Sequence, residues 1–156
     1  MTVYSFINCG AIPGKEAETG HEAHIRVHEM HLSSNLPVSE LDNKVKSKRS
    51  RQPLTYVSEM GKHTPVTFQH LFNNVEIPEL ECLFYRPDIT NGDMVNYFTI
   101  KFKRLKVVYS GITKRNVYLS ESDSFPDEHT TKMVYGNVVY SYNEDGIEAE
   151  DEVNDH

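Results

Sequence analysis

Four histidines follow one another closely in the first quarter of the chain: His21, His24, His28 and His31. Imidazole is a common ligand of zinc and other transition metals, so a metal site is the first chemistry to consider. On a helix the four side chains would share one face, with His24 and His28 at the i, i+4 spacing of a metal-binding pair. On a strand, His24 and His28 would point one way and His21 and His31 the other, which leaves no four-ligand site.

The residues between the histidines favour the strand. Ile25 and Val27 alternate with polar residues, which is typical of a half-buried strand. No cysteine or carboxylate pattern at ligand spacing accompanies the histidines. We therefore predict exposed strand histidines, no metal site and no cofactor. A metal-dependent enzyme remains the alternative, and it requires a helix over residues 21–31.

Nucleophilic catalysis finds no support in the sequence. There is no Gly-x-Ser-x-Gly motif and no glycine-rich phosphate loop of the P-loop or Rossmann kind. Cys9 and Cys82 lie in apolar runs, where a buried free thiol is the expected state. The carboxylates cluster near the C-terminus, where solvation makes them poor general acids. We predict no catalytic residues and a protein that is not an enzyme.

The charges are unevenly distributed along the chain. It has 16 basic and 23 acidic residues, and seven of the acids fall in the last fourteen positions, without a Lys or Arg. Residues 1–142 are therefore neutral overall and are predicted to form the folded domain. Residues 143–156 are predicted to be an acidic tail, disordered or loosely held, because they have little to bury. This tail would solvate the protein, bind a partner, or be ordered by a neighbouring subunit.

A basic segment, Lys-Val-Lys-Ser-Lys-Arg-Ser-Arg, occupies residues 44–51 and is predicted to be an exposed loop. Because the folded part is neutral and no aromatic residues alternate with these charges, we predict no nucleic-acid partner. No apolar run approaches the 18 residues of a membrane-spanning helix, so membrane insertion is not expected. The N-terminus also lacks the basic start and apolar stretch of a secretory signal peptide, which indicates a cytoplasmic origin.

Strand patterns dominate the rest of the sequence, near residues 3–8, 24–32, 54–57, 80–84, 95–109 and 133–142. In the fifth of these runs the apolar residues sit at even positions up to Phe102 and at odd positions from Leu105 onward. A regular strand would put these two sets on opposite faces. We therefore predict a β-bulge near Lys103-Arg104, which would bring both sets to one face.

One segment is predicted to be helical. Thr64-Pro65 is a suitable start, since Thr accepts a hydrogen bond from a free N–H and Pro fits the first helical position. Asn73-Asn74 is a suitable end, because Asn tolerates the left-handed conformation. The apolar residues recur at helical spacing between these limits: Phe68, Leu71, Phe72 and Val75. One short helix over residues 64–74 among seven or more strands predicts a mainly β domain, a sandwich or a barrel.

Four segments together resemble the haemolysin-coregulated protein (Hcp) family, the tube subunits of bacterial type VI secretion systems. The resemblance depends on their order and spacing across most of residues 1–142. The segments are Gly20-His21-Glu22 followed by Ile25-Arg26-Val27, Lys62-His63-Thr64-Pro65 before the helix, Leu83-Phe84-Tyr85-Arg86-Pro87, and Tyr97-Phe98-Thr99-Ile100-Lys101-Phe102.

The resemblance implies a compact β-barrel of two sheets with one helix at its side. Six copies would form a ring, and rings would stack into a hollow tube that a contracting sheath expels and whose lumen carries effectors. The partners would be the sheath, spike and effector proteins, and secretion would use the type VI apparatus without a signal peptide. The alternatives are a ring that mainly binds or delivers an effector, and a phage-type tail tube protein.

The resemblance also assigns a role to the basic segment. The extended loop of the family, between the second and third main strands, contributes to contacts between rings. The matching positions in this chain are candidate ring-stacking residues, and the acidic tail is one candidate partner of opposite charge. The alternative is that loop and tail are both solvated. The candidate residues are Lys44, Lys46, Lys48, Arg49 and Arg51.

Overall fold

A computed structural model describes residues 3–15, 21–45, 48–119 and 126–152. The described chain is mainly β, as predicted, with one closed barrel, a second small sheet and one helix at its side. Lys46 and the last four residues of the acidic tail lie outside the described residues. The first five strands are β1 (Ser5–Asn8), β2 (Ile25–His31), β3 (Ser34–Asn35), β4 (Ser50–Arg51) and β5 (Leu54–Glu59).

The remaining elements are longer and supply most of the barrel wall. They are helix α1 (His63–Asn73) and strands β6 (Glu76–Pro87), β7 (Met94–Thr113), β8 (Glu128–Tyr142) and β9 (Ile147–Glu152). The large sheet has the order β5-β2-β1-β6-β7-β8-β9, and β5 also pairs with β8. This extra pairing closes six strands into a barrel, which leaves β9 attached outside the ring of strands. The small sheet consists of β3 and β4 alone.

Strand β8 is shared between two partners along one edge. Its first half, residues 128–133, pairs with β5, and its second half, residues 137–142, pairs with β9. The opposite edge of β8 pairs with β7 along its length. Because β5 and β9 do not meet, the β8 backbone between them needs other hydrogen-bond partners.

The face switch predicted near Lys103-Arg104 is confirmed, but the predicted bulge is wrong. Phe102 and Leu105 are both fully buried, and Arg104 between them adopts a left-handed φ of 57°. The neighbouring strands switch face at the same level, so the register of β7 does not shift there. Three strands therefore bend together in one barrel corner, and no extra residue is needed. The opposing buried residues are Ile77, Leu105 and Tyr135 on one side of the corner and Leu80, Phe102 and Val138 on the other.

Because Arg104 is in the left-handed conformation, we can predict how glycine and alanine at this position will compare in stability. Alanine at this φ is strained by about 1 kcal/mol, whereas glycine is not. Arg104→Gly should therefore be more stable than Arg104→Ala by about 1 kcal/mol, which reverses the usual order inside a strand. Urea unfolding of the two variants measures the difference. The same two substitutions at neighbouring Lys103 are the control, where alanine should be the more stable. If Arg104→Gly has a lower free energy of unfolding than Arg104→Ala, this account is contradicted.

Helix α1 lies where it was predicted, but its buried side differs from the expected apolar stripe. The helix begins at His63, and Gly61 and Thr64 exchange two hydrogen bonds of 3.1 Å ahead of the first turn. It ends at Asn74 in the left-handed conformation, as the sequence predicted. Its buried residues are His63, Thr64 and Thr67, whereas Phe72 is 76% exposed. These fully buried residues form a polar seam with the barrel, and the partly buried Val66 and Leu71 pack against the core beside it.

The acidic C-terminal segment is ordered by its own chain. Residues 147–152 form β9 and pair in register with β8, from Tyr142 opposite Ile147 to Asn137 opposite Glu152. The prediction of a disordered or loosely held tail is therefore wrong for these residues. Composition misled the prediction because the segment buries little, and backbone pairing with β8 orders it instead.

Candidate assembly surface

The segment between β2 and β5 projects as a hairpin from the barrel. Strands β3 and β4 pair at its base, and a bridge between Val38 and Val45 holds its outer part. Asn43 adopts a left-handed φ of 58° near the tip and donates its N–H to the Ser39 carbonyl at 2.9 Å. We call the described residues of this segment, 34–45 and 48–51, the projecting hairpin.

Aliphatic side chains on the projecting hairpin face solvent. Leu41 is 99% exposed, and Leu36, Val38 and Val45 are each about half exposed or more. Single exposed apolar residues are ordinary on a protein surface, but several on one protruding element indicate an interaction site. The hairpin is therefore suited to packing against another protein.

The candidate ring-stacking residues divide into two groups. Lys44 and Lys48 are exposed on the outer hairpin, while Arg49 and Arg51 lie at its base against β9. Asp151 receives both arginines: its Oδ1 is 2.6 Å from Arg49 Nη2, and its Oδ2 is 2.8 Å from Arg51 Nε. The hydrogen bond from Arg49, followed by that from Arg51, lowers the pKa of Asp151. The basic segment and the acidic segment thus meet within one chain.

Arg51 also occupies the gap between β5 and β9. Its Nη1 donates to the carbonyl oxygens of Tyr135 at 2.9 Å and Gly136 at 3.3 Å, both in the part of β8 between its two partner strands. Its guanidinium carbon lies 4.8 Å from the centre of the Tyr135 ring. Arg51 therefore supplies the hydrogen bonds that a continuous strand would otherwise give to β8.

Two further ion pairs fix the C-terminal segment. Arg104 Nη2 lies 3.1 Å from Glu152 Oε1 at the end of β9. Arg86 Nη2 lies 3.0 Å from Glu144 Oε2 in the turn before β9, and Tyr142 donates to the same carboxylate oxygen at 2.6 Å. The segment is therefore held at both ends by arginines from the barrel and at Asp151 by the hairpin.

The basic residues of β7 have acidic residues beside them. Lys101, Lys103 and Lys106 lie directly opposite Glu81, Glu79 and Glu76 on β6. Opposite charges in directly opposed positions of a sheet stabilise the strand pair. This pattern gives a mixed surface of both signs where a nucleic-acid-binding protein would present an unopposed basic one.

The four histidines of the sequence do not form one cluster. His21 and His24 come together in a turn before β2, with their Nδ1 atoms 2.8 Å apart. His28 lies at a register shift of β2 with its Nε2 3.5 Å from Glu128 Oε2, and His31 is exposed at the strand end. The strand prediction placed His21 and His24 on opposite sides, which is wrong because the strand begins only at Ile25.

Within the described ranges, no group of three or more His, Cys, Asp and Glu residues is placed to hold a metal ion. Cys9 and Cys82 are buried free thiols, as predicted, and burial raises the pKa of each. Neither thiol is placed for nucleophilic attack, because the reactive form is an accessible thiolate.

A buried histidine pair at the polar seam was missed by sequence reasoning. His63 on α1 and His129 on β8 have ring centres 5.5 Å apart. His63 Nε2 lies 2.9 Å from Ser58 Oγ, and His129 Nε2 lies 2.7 Å from Ser110 Oγ. Burial, with a smaller contribution from His129, lowers the pKa of His63 to about 4, and burial also lowers the pKa of His129. Isolated histidines carry no periodic pattern, so nothing in the spacing of residues joins these two.

A family model described as "Type VI secretion system effector, Hcp" matches residues 6–143, which is most of the chain. The chain belongs to the Hcp family. Hcp proteins are tube-type proteins of type VI secretion, a structural family and not an enzyme family. A search of the curated proteins found no match. None of the helices in the described part of this Hcp chain has the length and apolar character needed to cross a bilayer.

Solved Hcp structures share the fold over nearly the whole chain. A crystal structure of an Hcp protein is 20% identical, with a TM-score of 0.88, and the match covers 99% of this chain and 100% of that one. A double mutant of Hcp1 from E. coli EAEC 042 is 17% identical, with a TM-score of 0.82 and coverage of 97% and 98%. The secreted protein Hcp3 from Pseudomonas aeruginosa is 14% identical, with a TM-score of 0.75 and coverage of 98% and 99%.

Proposed function

We propose that this Hcp protein is a structural subunit of the inner tube of a type VI secretion system. Six copies form a ring, and rings stack into a hollow tube that sheath contraction drives out of the cell. The lumen carries effector proteins, and sheath and spike proteins are the other partners. The chain performs no catalysis and leaves the cytoplasm through the apparatus itself.

The projecting hairpin is the observation that carries this proposal. A barrel that closes on itself hides the edges of its six strands, so assembly uses protruding elements, outer faces and the outer edge of β9. The hairpin offers exposed Leu36, Val38, Leu41 and Val45 together with exposed Lys44. In a symmetric ring or stack the same contact repeats in every copy, so a small apolar element is used many times.

Native mass spectrometry of the purified protein at low salt tests the ring. A species at six times the 18.0 kDa of one chain is expected, with stacked multiples of it in electron micrographs. A protein that stays monomeric at all concentrations tested would contradict the proposal.

Leu41 makes the role of the projecting hairpin testable. Leu41→Asp should abolish stacking or ring formation, because a carboxylate at a packed apolar contact would be desolvated without a partner. Folding should be unaffected, since Leu41 is 99% exposed in the single chain. Sedimentation velocity measures assembly, and thermal unfolding measures the fold.

Ile89→Asp is the matched control for Leu41→Asp. Ile89 is also fully exposed, but it lies in the turn between β6 and β7. We expect this variant to assemble normally. Equal loss of assembly in both variants, or no loss in either, would contradict a specific role of the hairpin.

The basic residues of the hairpin are proposed to support stacking by charge. Arg49 and Arg51 already contact Asp151 of the same chain, so the charge contribution is assigned to the outer part, where Lys44 lies. Exposed ion pairs are individually weak and are screened by salt, so assembly should weaken as ionic strength rises. Assembly that is insensitive to salt would contradict this part of the proposal.

The alternative is an Hcp ring that mainly binds or delivers an effector and does not stack. The intrachain ion pairs of Arg49 and Arg51 favour this alternative, because they occupy two charges that stacking was expected to use. Electron microscopy separates the two functions: isolated rings that hold a partner support delivery, and long stacks support the tube. A phage-type tail tube protein would also stack, and the genes adjacent to this one distinguish it.

A further inference from the structure

His21 and His24 are brought together by a turn of the backbone. The His24 N–H donates to the His21 carbonyl at 2.9 Å, which closes a four-residue turn and places the two side chains side by side. Their Nδ1 atoms face each other at 2.8 Å. The turn therefore presents two imidazole nitrogens to one point in space.

Aromatic contacts hold the two rings in place. The His21 ring lies parallel to Phe6, with 4.0 Å between ring centres, and the Tyr85 ring meets it edge-on at 5.2 Å. His24 also lies near Phe6, at 6.5 Å between ring centres. Rings that are already ordered lose little further conformational freedom when a ligand binds.

The pair is electrically suited to a cation. Partial burial, and then the neighbouring His21, lower the pKa of His24, which favours the uncharged ring that a metal requires. Glu81 and Glu22 act on His24 in the opposite direction, which means that both carboxylates favour positive charge at this position. Glu81 is held from β1 by the Asn8 amide, which donates to its Oε1 at 3.4 Å.

We propose that His21 and His24 form a two-histidine binding site for a late transition-metal cation of the Ni²⁺ or Cu²⁺ class. Two imidazole nitrogens at about 2.05 Å from a metal are about 2.9 Å apart in neighbouring positions of a square-planar or octahedral site, but about 3.3 Å apart in a tetrahedral one. The observed 2.8 Å fits the first geometry. Water completes the coordination, with Glu22 and Glu81 supplying negative charge nearby.

Metal binding would change the tautomer of the pair. In the free protein one Nδ1 donates its proton to the other. When both Nδ1 lone pairs bind the cation, the donating ring carries its proton on Nε2 instead.

Calorimetric titration with NiCl₂ at pH 7.5 tests the proposal. One Ni²⁺ per chain is expected, bound at least about ten-fold more tightly than by the His21→Gln/His24→Gln variant. With one equivalent of CuCl₂, the electron paramagnetic resonance spectrum should show two nitrogen ligands. Circular dichroism establishes that the variant is folded, and the single variant His24→Gln, which keeps the Phe6–His21 contact, provides a second comparison.

His28→Gln/His31→Gln is the matched control, because this pair has the same i, i+3 spacing but lies in β2, where His28 Nε2 is 3.5 Å from Glu128 Oε2. The control should bind Ni²⁺ like the wild-type protein. Three outcomes would overturn the proposal. They are equal Ni²⁺ binding by the wild-type protein, the His21→Gln/His24→Gln variant and the control, loss of binding in the control, or a Cu²⁺ spectrum without two nitrogen ligands. None of these readouts depends on ring or tube formation.

Discussion

Lowering the pH from 7 to 4 is expected to reduce the free energy of unfolding by about 3 kcal/mol through His63 alone. In the unfolded chain His63 takes up a proton near its ordinary pKa of 6.5, whereas the folded protein holds its pKa at about 4. The unfolded state therefore binds more protons between these two values, and stability falls as the pH falls through that window. His129 has a pKa lowered by burial and acts in the same direction.

The surroundings of the histidine pair explain why protonation is unfavourable there. The nearest partners are hydroxyl groups, of Ser58 and Ser110, and the two imidazoles would repel each other when charged. Glu128, adjacent in sequence to His129, is already paired with Arg115 at 3.0 Å and lies 3.5 Å from His28. Two other titratable groups lie on the elements that pack around the pair. Glu59 of β5 is opposite Glu128 in the sheet, and His70 of α1 contacts the Val66 carbonyl oxygen of its own helix.

Urea unfolding at pH 7, 5 and 4 measures this effect. In His63→Gln the glutamine amide keeps a polar contact with Ser58 but does not titrate, so the loss of stability on acidification should shrink by about 3 kcal/mol relative to the wild-type protein. His31→Gln is the control, because His31 is exposed at the end of β2. The account is wrong if His63→Gln keeps the full acid sensitivity of the wild-type protein.

Replacing Arg51 by Met is expected to cost about 3 kcal/mol of folding free energy. The Arg51 side chain is 12% exposed, and its loss leaves the carbonyl oxygens of Tyr135 and Gly136 without their donor. Methionine keeps most of the aliphatic stem, so the effect is that of the guanidinium. The same substitution also weakens the attachment of β9, because Asp151 retains only Arg49.

Arg49→Met is the matched control. Arg49 makes an equally short contact to Asp151, but its side chain is 41% exposed and it contacts no carbonyl of β8. Removal of this exposed ion pair should cost far less stability than the loss of Arg51, because solvent screens it. Urea unfolding at pH 7 measures both variants. Similar losses from the two substitutions would show that the Asp151 contact, and not the carbonyls of β8, carries the stability.

Local patterns were enough to predict much of the fold. The end of the helix was found from Asn73-Asn74, because Asn adopts the left-handed conformation more readily than most residues. Its start was not found from Thr64, which lies inside the helix, one residue after it begins. The face switch in β7 was found from the alternation of apolar residues, which burial dictates. Its form was not found, because a coordinated bend of three strands depends on how β6 and β8 align with β7.

The candidate sites depended on contacts between distant residues, which the sequence does not contain. Arg51 and Asp151 are 100 residues apart, and His63 and His129 are 66 apart, so neither pair could be joined by spacing. The composition of the C-terminal segment predicted disorder, but its order comes from pairing with β8. His21 and His24 were close enough in sequence to be considered together, yet the turn that joins them precedes the strand on which the prediction relied.

The closure of the barrel by β8 also has a consequence for biosynthesis. Tyr56 on β5 lies opposite Thr131 on β8, so the ring of strands cannot close until β8 has left the ribosome. Until then the nascent protein exposes one edge of β5 and one edge of β7, which are templates for pairing with other chains. Such distant pairings also make folding slow for a domain of this size. Protection of the growing chain by a chaperone is therefore most needed in the interval between synthesis of β7 and synthesis of β8.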